Sequence, residues 1–160
     1  MESANGDLVH VIFPLEVDDD GWPPVDSERM WASVVGADLY RLENTPWFAT
    51  GVAEGDIVQA KARADGEWPF FVEVAEWSGN CTIRIIPLKD GELMGDQGRV
   101  LDLFSALGVT GEGAGSYPIV ALTVPPDLEL ERIKALLVEG EQRGWWGYEE
   151  GCVGGRWIDL

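Results

Sequence analysis

Apolar and polar residues alternate in short runs through the first half of the chain, which is the pattern of half-buried β-strands. The first run, Leu8 to Leu15, places Val9, Val11 and Phe13 on one face. Pro14 lacks a backbone N–H, so it is expected to end this strand or to place it at a sheet edge. The pattern therefore predicts that the chain enters its fold with a strand.

Further short runs follow at residues 30–35, 38–42, 56–64 and 68–77. The first two are predicted to form a hairpin around Gly36. The last two are joined by Asp65-Gly66, a dipeptide typical of type I′ hairpin turns. Since no helical spacing appears before residue 79, residues 1–78 are predicted to form a small, strongly curved antiparallel β-sheet or barrel.

The second half alternates between strand and helix periods. Apolar residues recur at helical spacing in 97–107, and again from Asp127, a suitable N-cap, to Gly144, a suitable helix end. Strands are predicted at residues 81–88, 109–114, 117–124 and 145–153. This order of elements is that of a ferredoxin-like βαββαβ unit. The sequence therefore predicts an α+β fold with a β-rich subdomain at 1–78 and a ferredoxin-like subdomain at 79–160.

Charge is the unusual feature of the composition. The chain has 29 Asp and Glu residues against 11 Lys and Arg, a formal net charge of −18. Such a charge repels phosphate backbones and anionic lipid surfaces, so direct nucleic-acid or membrane binding is not expected. It favours a basic protein partner or a cation, or it serves solubility alone.

Targeting and redox signals point to the cytoplasm. Residues 1–7 are polar and acidic, unlike a secretory signal, and no apolar run reaches the ~20 residues of a membrane span. The two cysteines, Cys81 and Cys152, form no CxxC unit and are expected to be reduced. The oligomeric state stays open.

Two motifs resemble ligand-binding loops and fail on inspection. The run Glu16 to Gly21 begins like a calcium loop, but its twelfth position is Ser27, which cannot supply a bidentate carboxylate. The Gly-rich run 111–116 leads into a strand, whereas a phosphate cradle must open a helix. No metal ligand and no cofactor are therefore predicted, although whether residues 16–21 order around a cation stays open.

Signals for catalysis are equally weak. The chain has one histidine, His10, in a predicted strand, and no Gly-x-Ser-x-Gly elbow. The carboxylate pairs Glu149-Glu150 and Glu73/Glu76 could act as acid and base, but such pairs arise by chance in so acidic a chain. No catalytic residue is predicted, and a non-enzymatic role is expected.

Eight tryptophans form the more informative anomaly, and most are expected to fill the core. Trp22 is the exception, because it lies between Gly21 and two prolines in an acidic turn. Trp145 and Trp146 are adjacent, so on a strand one must face away from the other. An aromatic residue with an acidic rim fits a protein-binding patch, although a ring folded back over the sheet fits equally well.

Several segments resemble a bacterial family of uncharacterised proteins, domain of unknown function 4265. The resemblance covers nearly the whole chain, and residues 44–58 are its most specific part. It rests on the segments 16–25, 40–49, 51–58, 82–85 and 144–150, with Trp31 and Ser78-Gly79. The family has no established activity, so the resemblance implies a bacterial cytoplasmic protein and transfers no catalytic residue. Trp47 and Trp146 are bulkier than expected of a typical member.

The leading hypothesis is a non-enzymatic binding protein, for example an inhibitor or immunity protein for a basic toxin or nuclease. It rests on three observations: the net charge of −18, the absence of a catalytic signature and the large number of tryptophans. The competing hypothesis is a small-ligand module with an aromatic-lined cleft between the two subdomains. The residues predicted to bind a partner are Asp18, Asp19, Asp20, Trp22, Glu149 and Glu150.

Overall fold

The computed structural model describes residues 8–160, and the predicted polar segment 1–7 lies outside the described residues. The chain divides into two compact units between Ser78 and Gly79. Strands predominate, and the α+β class is confirmed by two sheets and, within residues 8–160, two α-helices. No helix in this range is both long and apolar enough to cross a bilayer.

The first unit is a closed five-stranded barrel in which neighbours along the chain pair with one another. Its strands are β1 Leu8–Pro14, β2 Ser27–Gly36, β3 Leu39–Leu42, β4 Ile57–Lys61 and β5 Phe70–Glu76. Consecutive pairs are antiparallel, but β5 closes on β1 in parallel, with Ile12 opposite Phe70. An odd number of alternating strands requires this, because the first and fifth run in the same direction.

The barrel core follows the predicted alternation. Val11 and Phe13 of β1 are buried, as are Met30 and Ala32 of β2, while the residues between them face outward. β1 ends at Pro14 and the hairpin of β2 and β3 turns after Gly36, as predicted. Each buried residue in these strands therefore sends its neighbour to the outer surface.

Glu28 is a buried carboxylate that holds a long connection in place. Its two oxygens accept hydrogen bonds from the backbone N–H groups of Trp47 (2.6 Å), Phe48 (3.0 Å) and Ala49 (2.9 Å). These N–H groups belong to an irregular segment after β3 that has no strand to pair with. The carboxylate therefore supplies the acceptors that a sheet ladder would otherwise provide.

Asp56, just before β4, is a second buried carboxylate that accepts backbone hydrogen bonds. It is fully buried and accepts hydrogen bonds from the backbone N–H groups of Ala53 (2.9 Å) and Ser78 (2.8 Å). The carboxylate thus fixes the turn before β4 and the chain that leaves β5.

The second unit is a four-stranded antiparallel sheet in the order β7-β8-β6-β9, with two helices. Its elements are β6 Cys81–Pro87, α1 Gln97–Ser105, β7 Thr110–Gly113, β8 Val120–Val124, α2 Leu130–Gln142 and β9 Trp146–Cys152. A 3-10 turn, Gly155–Asp159, follows β9. Every residue of β8 is buried, as its apolar sequence predicted.

The predicted start of α2 was wrong. The helix begins at Leu130 with Glu129 as its N-cap, and the Glu129 side chain makes no capping hydrogen bond. Asp127 lies two residues before that cap, in the turn that follows Pro125-Pro126. The predicted end was right, since Gly144 adopts the positive φ of +74° that favours glycine.

The helices cover one face of the sheet through an apolar core. Ile133 and Leu137 of α2 pack in this core with Phe104 of α1 and Trp146 of β9. The indole of Trp146 lies so close to Gly140 that a methyl group there would overlap the ring. The indole N–H also donates to the Leu137 carbonyl at 3.1 Å, which fastens β9 to the middle of α2.

The substitution Glu28→Gln should lower the free energy of unfolding by about 1–3 kcal/mol, because the amide removes the charge and presents an N–H group to backbone donors. Urea denaturation followed by tryptophan fluorescence measures this change. Glu73→Gln, at an exposed position of β5, is the matched control and should change stability by less than about 0.5 kcal/mol. Equal stability of the two variants would contradict the assigned role of Glu28.

Candidate functional site

The acidic turn of the first unit is ordered by its first aspartate. One carboxylate oxygen of Asp18 accepts hydrogen bonds from the backbone N–H groups of Asp20 and Trp22, both at 2.9 Å. Gly21 supplies the positive φ of +81° that the turn requires. Asp19 and Asp20 are exposed, so the turn presents their carboxylates to solvent.

Trp22 is half-buried and lies edge-on against Phe48, with the ring centroids 5.7 Å apart. The ring therefore packs back on the barrel unit, and only part of it faces solvent. An open hollow of about 520 Å³ adjoins the turn. It is lined by Val17, Gly21, Pro23, Pro24, Val25, Asp26 and Ser27.

The other two predicted partner-binding residues lie in the second unit, on β9. Glu149 accepts a hydrogen bond from Nε of the fully buried Arg84 at 2.7 Å. The guanidinium of Arg84 also lies against Gly151, where a side chain would overlap it. Glu149 thus neutralises a buried cation within its own unit, which is a structural role.

Glu150 joins three elements of the second unit. It accepts hydrogen bonds from Lys134 of α2 at 2.8 Å and from the indole of Trp157, in the C-terminal 3-10 turn, at 2.7 Å. Lys134 also lies over the rings of Trp157 and Tyr148, 5.4 and 5.9 Å from their centroids. Glu149 and Glu150, which the sequence predicted to bind a partner, therefore both form hydrogen bonds within the second unit.

The electrostatics of this contact follow from its partners. The hydrogen bond from Lys134 to Glu150 raises the pKa of the ammonium. Burial by itself raises the pKa of Glu150, but hydrogen bonds from Lys134 and Trp157 and the lysine charge outweigh it and lower the pKa below its ordinary value of 4.5. Both shifts stabilise the charged pair.

Tryptophans on the outer surface of the barrel were the main feature that the sequence prediction missed. Trp31 is 48% exposed and Trp68 is 44% exposed, and the ring of His10 contacts both. The His10 centroid lies 3.9 Å from that of Trp31 at an interplanar angle of 34°, and 5.4 Å from that of Trp68, edge to face. We call these three residues the aromatic cluster.

The cluster is assembled by strand pairing. His10 of β1 lies directly opposite Trp31 of β2, and Trp68 precedes β5, the strand that closes the barrel on β1. Exposed apolar side chains extend the surface on the same strands, among them Leu8 and Val72. In the structure the alternation of β1 and β2 turns His10 and Trp31 outward, and strand register brings the two rings together.

The expectation that most tryptophans fill the core was wrong. Only Trp146 and Trp157 of the eight are fully buried, while Trp31, Trp68 and Trp77 are at least 40% exposed. The remaining three are half-buried. Small barrel strands leave little interior volume, so bulky rings at outward positions stay on the surface.

Residues 8–160 contain no group of three or more His, Cys, Asp or Glu side chains placed to hold a metal ion. Cys81 and Cys152 are not joined by a disulfide. Burial raises the pKa of the Cys81 thiol, although a backbone hydrogen bond near Gly154 opposes the shift. This thiol is therefore in its neutral, unreactive form near pH 7.

Glu150→Gln should remove a pH-dependent part of the stability. Because the folded pKa of Glu150 lies below its ordinary value, the contribution is fully present above about pH 4.5 and is lost as the pH falls through the folded pKa. Thermal unfolding between pH 3 and pH 7, on the order of one measurement per half unit, should show the variant losing less stability on acidification than the parent. Glu131→Gln, exposed on α2, is the control and should retain the parental pH profile.

Comparison with known proteins agrees with the resemblance of the sequence. The profile of the family described as Domain of unknown function (DUF4265) matches residues 28–148. A crystal structure of a hypothetical protein from Neisseria gonorrhoeae is similar, with a TM-score of 0.72 at 21% identity over 93% of this chain and 96% of that one. No curated protein matches the chain. Because the profile spans most of both units, the chain belongs to the DUF4265 family.

Proposed function

We propose that this chain is a non-enzymatic acidic binding protein whose barrel unit engages a basic protein partner in the cytoplasm. An inhibitor or immunity protein for a cationic toxin or nuclease is the concrete form of the proposal. The observation that carries it is the aromatic cluster, two exposed tryptophans held by a histidine on the more acidic unit.

Charge is distributed unevenly between the units. Residues 1–78 contain sixteen Asp and Glu and four Lys and Arg, a net charge of −12, whereas residues 79–160 contain thirteen and seven, a net charge of −6. The barrel unit therefore attracts a cation more strongly at long range. This supports the barrel as the recognition unit.

Burial separates the acidic residues of the barrel into two groups. Glu28 and Asp56 are buried and serve the fold, as described above. Asp19, Asp20 and Glu43 are among those that remain exposed. The barrel unit therefore carries both exposed carboxylates and exposed aromatic rings, and in protein interfaces aromatic anchors supply affinity while charges set association rate and selectivity.

We also propose that the second unit has the ferredoxin-like arrangement. Two observations support this: the element order β6-α1-β7-β8-α2-β9, and the sheet order β7-β8-β6-β9, in which the first and third strands of the unit are central. In this proposal the second unit is a scaffold, because Glu149 and Glu150 are engaged within it.

Capture of partners at low and at high salt tests the proposed function. The chain should retain a basic protein at low salt and release it at high salt, because screening weakens exposed charge pairs. Replacing Asp18, Asp19 and Asp20 together by Asn should abolish retention.

The matched control removes the same charge from the other unit by replacing Glu129, Glu131 and Glu139 with Gln. This variant should retain the partner, since only the second unit has changed. Capture that is indifferent to salt, or a partner that is itself acidic, would contradict the proposal.

Small-ligand binding is the second candidate function. The hollow beside the acidic turn favours it, since about 520 Å³ is within the range of small-molecule sites. A thermal-shift screen with metabolites and nucleotides should then raise Tm by linkage. A screen without any shift would leave partner binding as the better account.

A further inference from the structure

We infer that the aromatic cluster is a receptor for arginine side chains of the partner, selected over lysine. This inference rests on the proposed function, because it names the chemistry that the barrel surface recognises. Neither Trp31 nor Trp68 is among the residues that the sequence predicted to bind a partner.

Trp31 is held in place by its backbone and by His10, which favours binding. The backbone N–H of Trp31 donates to the side-chain oxygen of Asn44 at 2.9 Å, and its carbonyl accepts from the N–H of Glu43 at 2.9 Å. His10 packs against one part of the Trp31 ring, while about half of the side chain stays exposed. Rings that are already ordered lose little conformational entropy when a ligand stacks on them.

The barrel unit already holds one guanidinium on an aromatic ring. Arg63 lies 3.7 Å from the centroid of Phe70, the residue two positions after Trp68. In the second unit Arg143 lies 5.3 Å from the centroid of Trp145, and Lys134 lies 5.4 and 5.9 Å from the centroids of Trp157 and Tyr148, so the close stacking is particular to the barrel unit. A guanidinium is planar and weakly hydrated, so it stacks on a ring more closely than a strongly hydrated ammonium does.

The negative charge of the barrel unit distinguishes between the ligands that could stack on exposed tryptophans. Nucleic-acid bases and membrane interfaces also favour exposed tryptophan, but both bring negative charge toward a unit of net charge −12. Exposed Glu67 precedes Trp68 along the chain, and the backbone N–H of exposed Glu43 donates to the Trp31 carbonyl at 2.9 Å. In this proposal these two carboxylates pair with an arginine that stacks on either ring. A cationic protein segment is the ligand that can both stack on the indole rings and pair with the carboxylates.

The test compares hexa-arginine and hexa-lysine peptides, each blocked at both ends so that their charges match, by calorimetric titration into the full chain at low salt. Hexa-arginine should bind about three- to tenfold more tightly than hexa-lysine. Trp31→Ala and Trp68→Ala should each weaken hexa-arginine binding by a similar factor and reduce the preference for arginine. Trp77→Ala, which removes another exposed tryptophan of the same unit, should leave both affinities unchanged.

Trp31→Phe and Trp68→Phe keep an aromatic face and should retain most of the affinity, which separates loss of stacking from loss of folding. Equal affinity for the two peptides, or no effect of the tryptophan variants, would overturn the arginine receptor while leaving salt-dependent capture of a basic partner intact. Tighter binding to a single-stranded oligonucleotide or to anionic vesicles than to hexa-arginine would overturn it as well. Failure of the capture experiment at low salt would instead overturn the proposed function itself.

Discussion

Strand alternation in the closed barrel is the constraint on which the proposed recognition surface depends. A strand of a small barrel can send only every second side chain inward, so Val11 and Met30, which fill the core, force His10 and Trp31 to the outside. Because β1 pairs with both β2 and β5, the outer side chains of three strands meet over one region. The outward placement of His10 and Trp31 is thus a consequence of how the core is filled.

Carboxylates have two separate uses in this chain, and burial distinguishes them. Glu28 is buried and accepts three backbone hydrogen bonds, so its carboxylate orders the segment after β3. Asp19 and Asp20 stay in water, where a charge contributes little to stability but much to long-range attraction. Net charge therefore overstates the number of acidic groups available to a partner.

The second unit shows the same distinction within two adjacent residues. Glu149 compensates the buried Arg84, and Glu150 connects α2, β9 and the C-terminal turn through Lys134 and Trp157. Neighbours in a strand point to opposite faces, so the pair serves two different contacts and does not form one acidic site. This geometry gives Glu149 and Glu150 a structural role within the second unit.

The sequence by itself determined the strands, the two helices, the α+β class and the family, because these follow from period, turn residues and segments that lie close along the chain. The outward positions of His10 and Trp31 were set by strand alternation in the folded barrel, whereas the sequence had favoured the core for most tryptophans. Only the tertiary structure decided that Trp68 joins them, that Glu28 reaches residues 47–49, and that Glu150 meets Lys134 and Trp157. Those contacts join residues far apart along the chain, and strand register and helix packing, which no local pattern encodes, set which of them meet.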